Sequence, residues 1–238
     1  MAFFDLTMTY VRRRAAQSGV WWPYHSDLTA WMRSLRSPLT VPWRKRLHTN
    51  LVVAAASNCD DFAGRGAFLG ALLRALPGQV LSAGRCHRTT SHRLSNDELR
   101  DSVRSGFFYL SLENAVCEDW VTEKLERALK NGVVPIVFDA PQSMAGGSDG
   151  TLVPDYRKVL PPGTYINAAS FASIGALADH LKAVAANRTL YESYLWTHRS
   201  SGSAIRARWP EHRAFNNGRW GFRGQVKREC LLLERALE

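Results

Sequence analysis

The feature that most constrains the fold is a repeated order of short apolar run, polar turn, amphipathic helix and second apolar run. The first copy begins with LVVAAA at residues 51–56 and continues through GRGAFLGALLRAL to QVLSAG. The second begins with FFYLSL at residues 107–112 and continues through DWVTEKLERALKNG to VVPIVF. Strands that are apolar on both faces and joined by helices form parallel sheets covered on both sides. The sequence therefore predicts an α/β fold with a Rossmann-like, doubly wound parallel sheet.

Local signals support the two crossover helices and predict a third. A proline–glycine pair closes the first helix, and in the second Asp119 is a predicted N-cap and Gly132 a predicted C′ residue. Two pairs of opposite charge in the second helix have i,i+4 spacing: Glu123–Arg127 and Glu126–Lys130. The stretch SIGALADHLKAVAAN repeats its apolar residues at helical spacing, which predicts a helix with one core-packing face.

Composition divides the chain into three parts. Residues 1–45 mix aromatic residues, arginines and prolines without a sustained period, which predicts an irregular leading segment. Residues 46–200 contain the strand–helix–strand units and are predicted to form one Rossmann-like domain. Residues 201–238 form a basic segment that we expect to be helical at its end.

The charge of the chain points to an anionic partner. A formal net charge of +10 and a pI near 9.8 favour a nucleotide, a nucleic acid or an acidic membrane surface, although a merely basic surface explains the same numbers. Trp209, Trp220 and Phe222 lie among several arginines in residues 206–228. Because aromatic and basic residues together bind single-stranded nucleic acid, this segment supports nucleic-acid binding as a hypothesis from another functional class.

Several other classes of protein are not predicted. The four cysteines, Cys59, Cys86, Cys117 and Cys230, are scattered and form no CxxC pair, so we expect neither a disulfide framework nor a zinc site. The sequence has no DxD motif and no HxxxH or HxH spacing, and it predicts no metal centre and no nucleophilic triad. No apolar run approaches the roughly 18 residues of a membrane span, which predicts a soluble chain.

The turns that follow the first strand of each unit are candidate anion sites. Both lead into helix N-termini, where free backbone N–H groups and the helix dipole favour a phosphate. Arg65 lies at the start of the first helix and Lys124 in the early turns of the second, so each is a candidate phosphate ligand. Neither turn carries a GxGxxG or GxxxxGK[ST] motif, and solvated helix-start residues are the alternative explanation of both cations.

Further candidates flank the second turn. Glu113 and Asn114 follow the strand FFYLSL, where a parallel sheet presents functional side chains, although such residues also satisfy the backbone of turns. Glu123 and Lys124 are neighbours on a helix and point about 100° apart, so they are expected to make different contacts. One could accept hydrogen bonds from ribose hydroxyls while the other meets a phosphate.

The stretch FFYLSLENAVCEDWVTEKLERALKNGVVPIVFDAP resembles the donor-binding signature of the α1,3-fucosyltransferases, enzymes that use GDP-fucose and have the two-domain GT-B fold. The segment FDLTMTYVRR resembles the junction between the two halves of these enzymes, and LVVAAASNCDDFAGR resembles a strand, a Ser-Asn turn and a downstream arginine. A segment from Tyr156 to His198 is similar to the end of the donor domain. The resemblance covers roughly Phe4 to His198 and implies the C-terminal half of a GT-B enzyme.

The resemblance assigns roles to the candidate residues. It implies that Arg65 and Lys124 bind the diphosphate of GDP-fucose and that Glu123 binds ribose hydroxyls. Glu113 and Asn114 would line the fucose end of the site. Trp120 would provide an aromatic wall where the family usually has tyrosine. GDP-fucose would be the donor substrate, with no tightly bound cofactor and no required divalent metal, and the acceptor would be an N-acetylglucosamine-containing glycan.

The resemblance also predicts what this chain does not carry. Family members have a preceding half that binds the acceptor and supplies the general base, so the base is expected outside these 238 residues. The chain would then be a fragment of an inverting α1,3-fucosyltransferase or, alternatively, a GDP-sugar binding module without efficient transfer. The family's location is the Golgi apparatus, with membrane attachment through a segment absent from this chain.

Overall fold

The computed structural model describes residues 7–9, 19–21, 41–59, 63–114, 122–138, 156, 160 and 163–195, and the structural statements below concern these residues. The strands are β1 (Thr7–Thr9), β2 (Gly19–Trp21), β3 (Val52–Ala54), β4 (Val80–Ser82), β5 (Phe108–Leu110), β6 (Val134–Val137) and β7 (Ile166–Asn167). The helices are α1 (Arg65–Ala75), α2 (Asn96–Ser105), α3 (Glu123–Lys130), α4 (Ile174–Ala186) and α5 (Arg188–Tyr194). Most of the segment 1–45, and all of 201–238, lie outside the described residues.

Five strands form one parallel sheet in the order β4-β3-β5-β6-β7. Val52 of β3 is in register with Val80 on one side and Phe108 on the other. The chain leaves β3 toward β4 and then returns to place β5 on the opposite side of β3. The strand order therefore reverses between β3 and β5, and ligands of doubly wound sheets bind at the carboxyl ends of the strands at such a point. A separate parallel pair joins β1 to β2.

Alternate residues of the strands face two different cores, as the pleat of a strand requires. Val52 and Phe108 belong to the larger core, together with apolar residues of α1, α4 and α5. Val53 and Tyr109 belong to the smaller core with residues of α2 and α3. Helices cover both faces of the sheet, so the predicted doubly wound α/β architecture is confirmed.

Helix α2 is not among the predicted elements, although its start carries a strong signal. The Ser95 hydroxyl accepts from the Glu98 backbone N–H, and the Glu98 carboxylate accepts from the Ser95 backbone N–H at 2.7 Å. This reciprocal capping box satisfies two backbone donors that the helix itself leaves unpaired. A Ser-x-x-Glu sequence at this point was sufficient to indicate the helix.

Helix α3 differs from the prediction at its start and agrees at its end. Thr122 occupies the N-cap position, whereas the predicted N-cap, Asp119, lies outside the described residues. Gly132 follows the C-cap with a φ of 64°, which confirms it as the left-handed C′ residue. Of the two predicted ion pairs, Lys130 contacts Glu126. Arg127 instead donates to the Tyr109 hydroxyl at 2.8 Å.

Arg46 is a buried cation near the amino-terminal ends of β5 and β6, on the side of the sheet away from the strand carboxyl ends. It is 7% exposed and its guanidinium donates to the backbone carbonyls of Gly106, which follows α2, and Gly132, which follows α3. The guanidinium also lies 4.7 Å from the ring centre of Tyr191 and 5.8 Å from that of Phe107. Burial lowers the pKa of Arg46. The nearby Tyr191 and the carboxylate of Glu192 raise this pKa and so offset part of the effect. One arginine thus supplies donors to the carbonyls of two glycines that follow helices.

None of the described helices is both long enough and apolar enough to cross a membrane.

Candidate functional site

A cavity of about 360 Å³ opens at the carboxyl ends of the strands, where the strand order reverses. Its walls come from residues 55–58 after β3, from the loop between β4 and α2, from Asn114 after β5, and from the N-terminal turns of α1 and α3. Of the six predicted site residues, Arg65, Asn114, Glu123 and Lys124 line this cavity. The fold therefore brings together residues that lie 59 positions apart in the sequence, counted from Arg65 to Lys124.

The floor of the cavity is a close contact between two backbone segments. The backbone N–H of Cys86 donates to the Ala56 carbonyl at 2.9 Å, and a Cβ placed on Gly84 would lie only 2.1 Å from that carbonyl oxygen. Glycine is required at position 84 because any side chain would overlap the backbone of the neighbouring loop. The loops after β3 and β4 are therefore held against each other at the base of the cavity.

A disulfide bond joins the same two loops and corrects the expectation drawn from the cysteines. Cys59 and Cys86 are bonded, with a Cα–Cα distance of 5.5 Å. Their separation of 27 residues gave no local signal, because only the pairing of β3 with β4 brings the two loops together. Cys59 is thus a structural cysteine rather than a free one, while Cys117 and Cys230 lie outside the described residues.

Removing the disulfide should lower stability measurably. Closing a loop of 27 residues constrains the unfolded chain, so a Cys59→Ser/Cys86→Ser variant should lose about 2–3 kcal/mol of unfolding free energy. This loss corresponds to a melting temperature lower by roughly 5–10 °C. Wild-type protein melted in reductant should approach the variant, which itself should not respond to reductant. Equal melting temperatures for the oxidised wild type and the variant would contradict the structural role of this bond.

Arg65 is a buried residue that connects the ends of two strands. It is 4% exposed, and its guanidinium donates to the backbone carbonyls of Asn58, after β3, and Leu112, after β5. The alternative explanation, that Arg65 is a solvated residue at the start of a helix, is wrong because its side chain is buried. These contacts fix the guanidinium beside the cavity at the reversal point.

Lys124 is held by two carboxylates and one hydroxyl. Its Nζ donates to Glu113 at 3.0 Å, to Glu123 at 3.4 Å and to the Thr122 hydroxyl at 2.8 Å. Burial alone would lower the pKa of Lys124, but the two carboxylates outweigh it and raise the pKa above its ordinary value. Lys124 therefore keeps its charge at neutral pH, and its ammonium already has a fixed position in the cavity wall.

Glu113 lies behind the cavity wall rather than in it. It is 6% exposed, and its carboxylate accepts from the Thr122 backbone N–H, from the Thr122 hydroxyl and from Lys124. Burial raises the pKa of Glu113 despite these partners. The carboxylate satisfies a free donor at the start of α3 and positions Lys124, which is a supporting role one layer behind the cavity.

Glu123 and Asn114 complete the predicted set within the described residues. The Glu123 side chain is 47% exposed and lines the cavity beside Lys124. Burial raises the pKa of Glu123, but the Lys124 charge and hydrogen bonds at the helix start together lower it below its ordinary value. The Glu123 carboxylate and the Lys124 ammonium are thus in contact, although neighbouring positions on a helix point about 100° apart. Trp120 lies outside the described residues.

Further polar residues of the cavity were not predicted: Asn58, Arg93, Asn96 and Arg127. Arg93 lies two residues before the capping box of α2 and Asn96 lies within it, so recognising that helix would have pointed to them. Arg127 lies one turn after Glu123 and Lys124 on α3, and i,i+3 and i,i+4 neighbours share a face.

The cavity is strongly cationic. Two arginines from the walls, Arg65 and Arg93, and two cations of α3, Lys124 and Arg127, line it, against one lining carboxylate, Glu123. With the buried Glu113 counted as well, the surroundings retain a net excess of two positive charges. That excess of positive charge favours an anionic ligand. Among the described residues, no group of histidine, cysteine and carboxylate side chains has the arrangement of a metal site.

A family comparison agrees with this geometry. Residues 45–220 match the family model described as glycosyltransferase family 10 (fucosyltransferase), C-terminal part. The chain belongs to glycosyltransferase family 10. The residues that match the family 10 model include the whole five-stranded sheet and every predicted site residue. The resemblance to the α1,3-fucosyltransferase family, which the motifs predicted, is thereby confirmed.

Curated relatives of the family 10 chain are longer than it is. It is similar to alpha-(1,3)-fucosyltransferase C of Drosophila melanogaster, with 33% identity over 209 residues that cover 82% of this chain and 45% of the relative. It is also similar to GDP-fucose protein O-fucosyltransferase 3 of Gallus gallus, with 30% identity over 69% of this chain and 34% of that protein. The chain spans less than half the length of these relatives.

Solved structures show the same fold. A crystal structure of an α1,3-fucosyltransferase with GDP matches with a TM-score of 0.51 and 22% identity, covering 66% of this chain and 40% of that one. A second, with GDP-fucose, matches with a TM-score of 0.50 and 20% identity over 77% of this chain and 52% of that one. This chain covers 40% and 52% of the two solved chains, which agrees with the prediction that it corresponds to one half of a GT-B enzyme.

Proposed function

We propose that this chain forms the donor-binding half of an inverting α1,3-fucosyltransferase that transfers fucose from GDP-fucose to an N-acetylglucosamine-containing glycan. The observation that carries the proposal is the cationic cavity at the strand-order reversal of a family 10 chain. A nucleoside diphosphate sugar is a polar ligand whose negative charge is favoured by the cationic lining of this cavity.

Each lining residue has a role in the proposal. Arg65 and Lys124 would bind the diphosphate, since a guanidinium grips two phosphate oxygens and an ammonium acts as a point charge. Glu123 would accept hydrogen bonds from ribose hydroxyls, and Asn114 would contact the sugar. Glu113 would keep Lys124 in position. Side-chain cations would neutralise the diphosphate, so donor binding should persist in EDTA.

We assign no general base within the described residues. Direct displacement with inversion needs a base within hydrogen-bond reach of the acceptor hydroxyl. Glu113 is buried and its oxygens already accept from Thr122 and Lys124. The resemblance expects the base in the half that precedes the donor domain, and we therefore propose that transfer requires that half.

Calorimetry with GDP, GDP-fucose, GDP-mannose, UDP and a short RNA tests the proposal directly. We expect GDP and GDP-fucose to bind in preference to UDP, with the RNA binding weakly and losing affinity steeply with salt. A folded sample, verified by circular dichroism, that binds none of the nucleotides would contradict the donor-site assignment. Binding of RNA in preference to GDP would instead support the nucleic-acid hypothesis, whose aromatic and basic segment lies outside the described residues.

The ribose role of Glu123 makes a separate prediction. A Glu123→Gln variant should lose several-fold more affinity for GDP than for pyrophosphate, because only GDP presents the ribose hydroxyls that a carboxylate accepts from. Titrations of both ligands against both proteins measure the difference. Equal losses for the two ligands would indicate that Glu123 acts only through its contact with Lys124.

We further propose that the full-length protein works in the Golgi apparatus. The family resemblance suggests this location, and the Cys59–Cys86 disulfide is the kind of bond that persists in the oxidising secretory pathway. A fluorescent fusion of the full-length protein should overlap a Golgi marker, whereas a uniform cytosolic signal would contradict the proposal.

A further inference from the structure

The cavity has two chemically different ends. At the end near β5, Arg65, Lys124 and Glu123 carry the charges discussed above. At the other end, the loop after β4 and the first turns of α2 contribute Arg93 and Asn96, with two leucines beside them. The two ends follow different strands, because β3 lies between β4 and β5 in the sheet.

Arg93 differs from the other cations that line the cavity. Arg65 donates to two carbonyls, Lys124 to two carboxylates, and Arg127 to the Tyr109 hydroxyl. Arg93 is exposed and makes no hydrogen bond or ion pair with any residue that the structure describes. A ligand can therefore bind its guanidinium without breaking a hydrogen bond or ion pair to any described residue.

The neighbours of Arg93 suit a flat heteroaromatic ring rather than a phosphate. Leu94 and Leu99 are partly buried and line the cavity beside it, and Leu99 also packs against the smaller core. The Asn96 side-chain amide is exposed and makes no hydrogen bond with a described residue. An amide can both donate and accept hydrogen bonds. Apolar surface with a few directed polar groups is the usual composition of a site that binds a ring.

We propose that Arg93, supported by Asn96, Leu94 and Leu99, is the residue that selects the base of the nucleotide and favours a 6-oxopurine. A guanidinium only donates, and the O6 and N7 atoms of guanine are adjacent acceptors that it can bind together. Adenine replaces the O6 acceptor with an amino group, which meets the guanidinium donor to donor. The inference rests on the proposed function, because it assumes a nucleoside diphosphate with its diphosphate at the Lys124 end.

An Arg93→Gln variant, titrated with GDP, IDP, ADP and pyrophosphate, tests this inference. IDP keeps O6 and N7 but has no 2-amino group, so it isolates the contact assigned to Arg93. The variant should bind GDP and IDP about tenfold more weakly, while its affinity for ADP and pyrophosphate should stay within about twofold of wild type. The ratio of GDP to ADP affinity should therefore fall by about tenfold.

Arg85→Gln is the matched control. Arg85 is an exposed arginine of the same loop that does not line the cavity, so its loss changes the charge equally without touching the ligand. All four affinities should remain within about twofold in this variant. Because both side chains are exposed, neither change removes a packing contact from the core.

The outcomes separate the two proposals. Equal losses of GDP and pyrophosphate affinity in Arg93→Gln would make Arg93 a phosphate ligand and overturn the inference. An unchanged GDP to ADP ratio would also overturn it while leaving the donor site intact. Wild-type protein that does not prefer GDP to ADP would overturn the inference, and wild-type protein that binds no nucleotide would overturn the proposed function with it.

Discussion

Replacing Lys124 by methionine should weaken GDP binding about 30-fold. Two unit charges about 4 Å apart attract by roughly 4 kcal/mol at an effective dielectric constant near 20. Lys124 already pairs with Glu113 and Glu123, so the diphosphate shares its charge with them, and we take about half of that attraction as the net contribution. A loss of about 2 kcal/mol corresponds to about 30-fold in the dissociation constant. Calorimetric titration with GDP measures it.

Lys130→Met is the matched control on the same helix. Lys130 lies at the last turn of α3, is 44% exposed and pairs with Glu126 away from the cavity. Its removal takes one charge from the protein and should change GDP affinity by less than about twofold, since exposed pairs contribute little. A comparable loss in both variants would show that net charge, rather than the position of Lys124, governs binding.

The same substitution should destabilise the fold in a pH-dependent way. Without Lys124, the Glu113 carboxylate stays buried without its cation, so its pKa in the folded state should rise further above the unfolded value. A carboxyl whose folded pKa is raised binds its proton more tightly when folded. Stability of the Lys124→Met variant should therefore fall as pH rises through that raised pKa, and the deficit against wild type should shrink at acidic pH.

A second substitution separates stability from binding. Glu113→Gln in the Lys124→Met background removes the buried charge but does not replace the cation. This double variant should recover much of the stability while remaining weak in GDP binding. If GDP affinity returned together with stability, the Lys124 effect would be one of folding rather than of ligand contact.

Replacing Arg46 by methionine should cost about 4 kcal/mol of unfolding free energy. The guanidinium donates to the carbonyls of Gly106 and Gly132, and hydrogen bonds with a charged partner contribute about 1.5–3 kcal/mol each. Methionine retains apolar volume against Tyr191 and Phe107 but leaves both carbonyls without these donors. The melting temperature should fall by roughly 10 °C in a thermal scan.

Arg100→Met is the appropriate control for Arg46. Arg100 is a half-exposed arginine on α2 whose guanidinium lies 2.7 Å from Asp97. Its loss should lower the melting temperature by no more than about 2 °C, because the pair is exposed to solvent. An equally mild effect at Arg46 would mean that other groups satisfy the two carbonyls, which would remove the role assigned to this residue.

Local patterns were sufficient for much of the fold. The apolar runs identify β3, β5 and β6, helical spacing identifies α1, α3 and α4, and Gly132 ends α3 as predicted. These signals work because side-chain period, capping and left-handed glycine conformations depend only on residues a few positions apart. Strand-end and helix-start positions identified Arg65, Asn114, Glu123 and Lys124 as candidates, the family resemblance gave them roles, and all four line one cavity.

Only the tertiary structure decided how these elements meet. The order β4-β3-β5 creates the cavity, brings Cys59 to Cys86, and separates the Arg93 end from the Lys124 end. It also buries Glu113 behind Lys124 instead of placing it in the cavity lining. None of these contacts follows from spacing, because each depends on which strands pair and which helix faces pack across long stretches of chain. The sequence alone determined most strands and helices of the central sheet and indicated an anionic ligand, whereas long-range packing determined which side chains line the cavity and which support them.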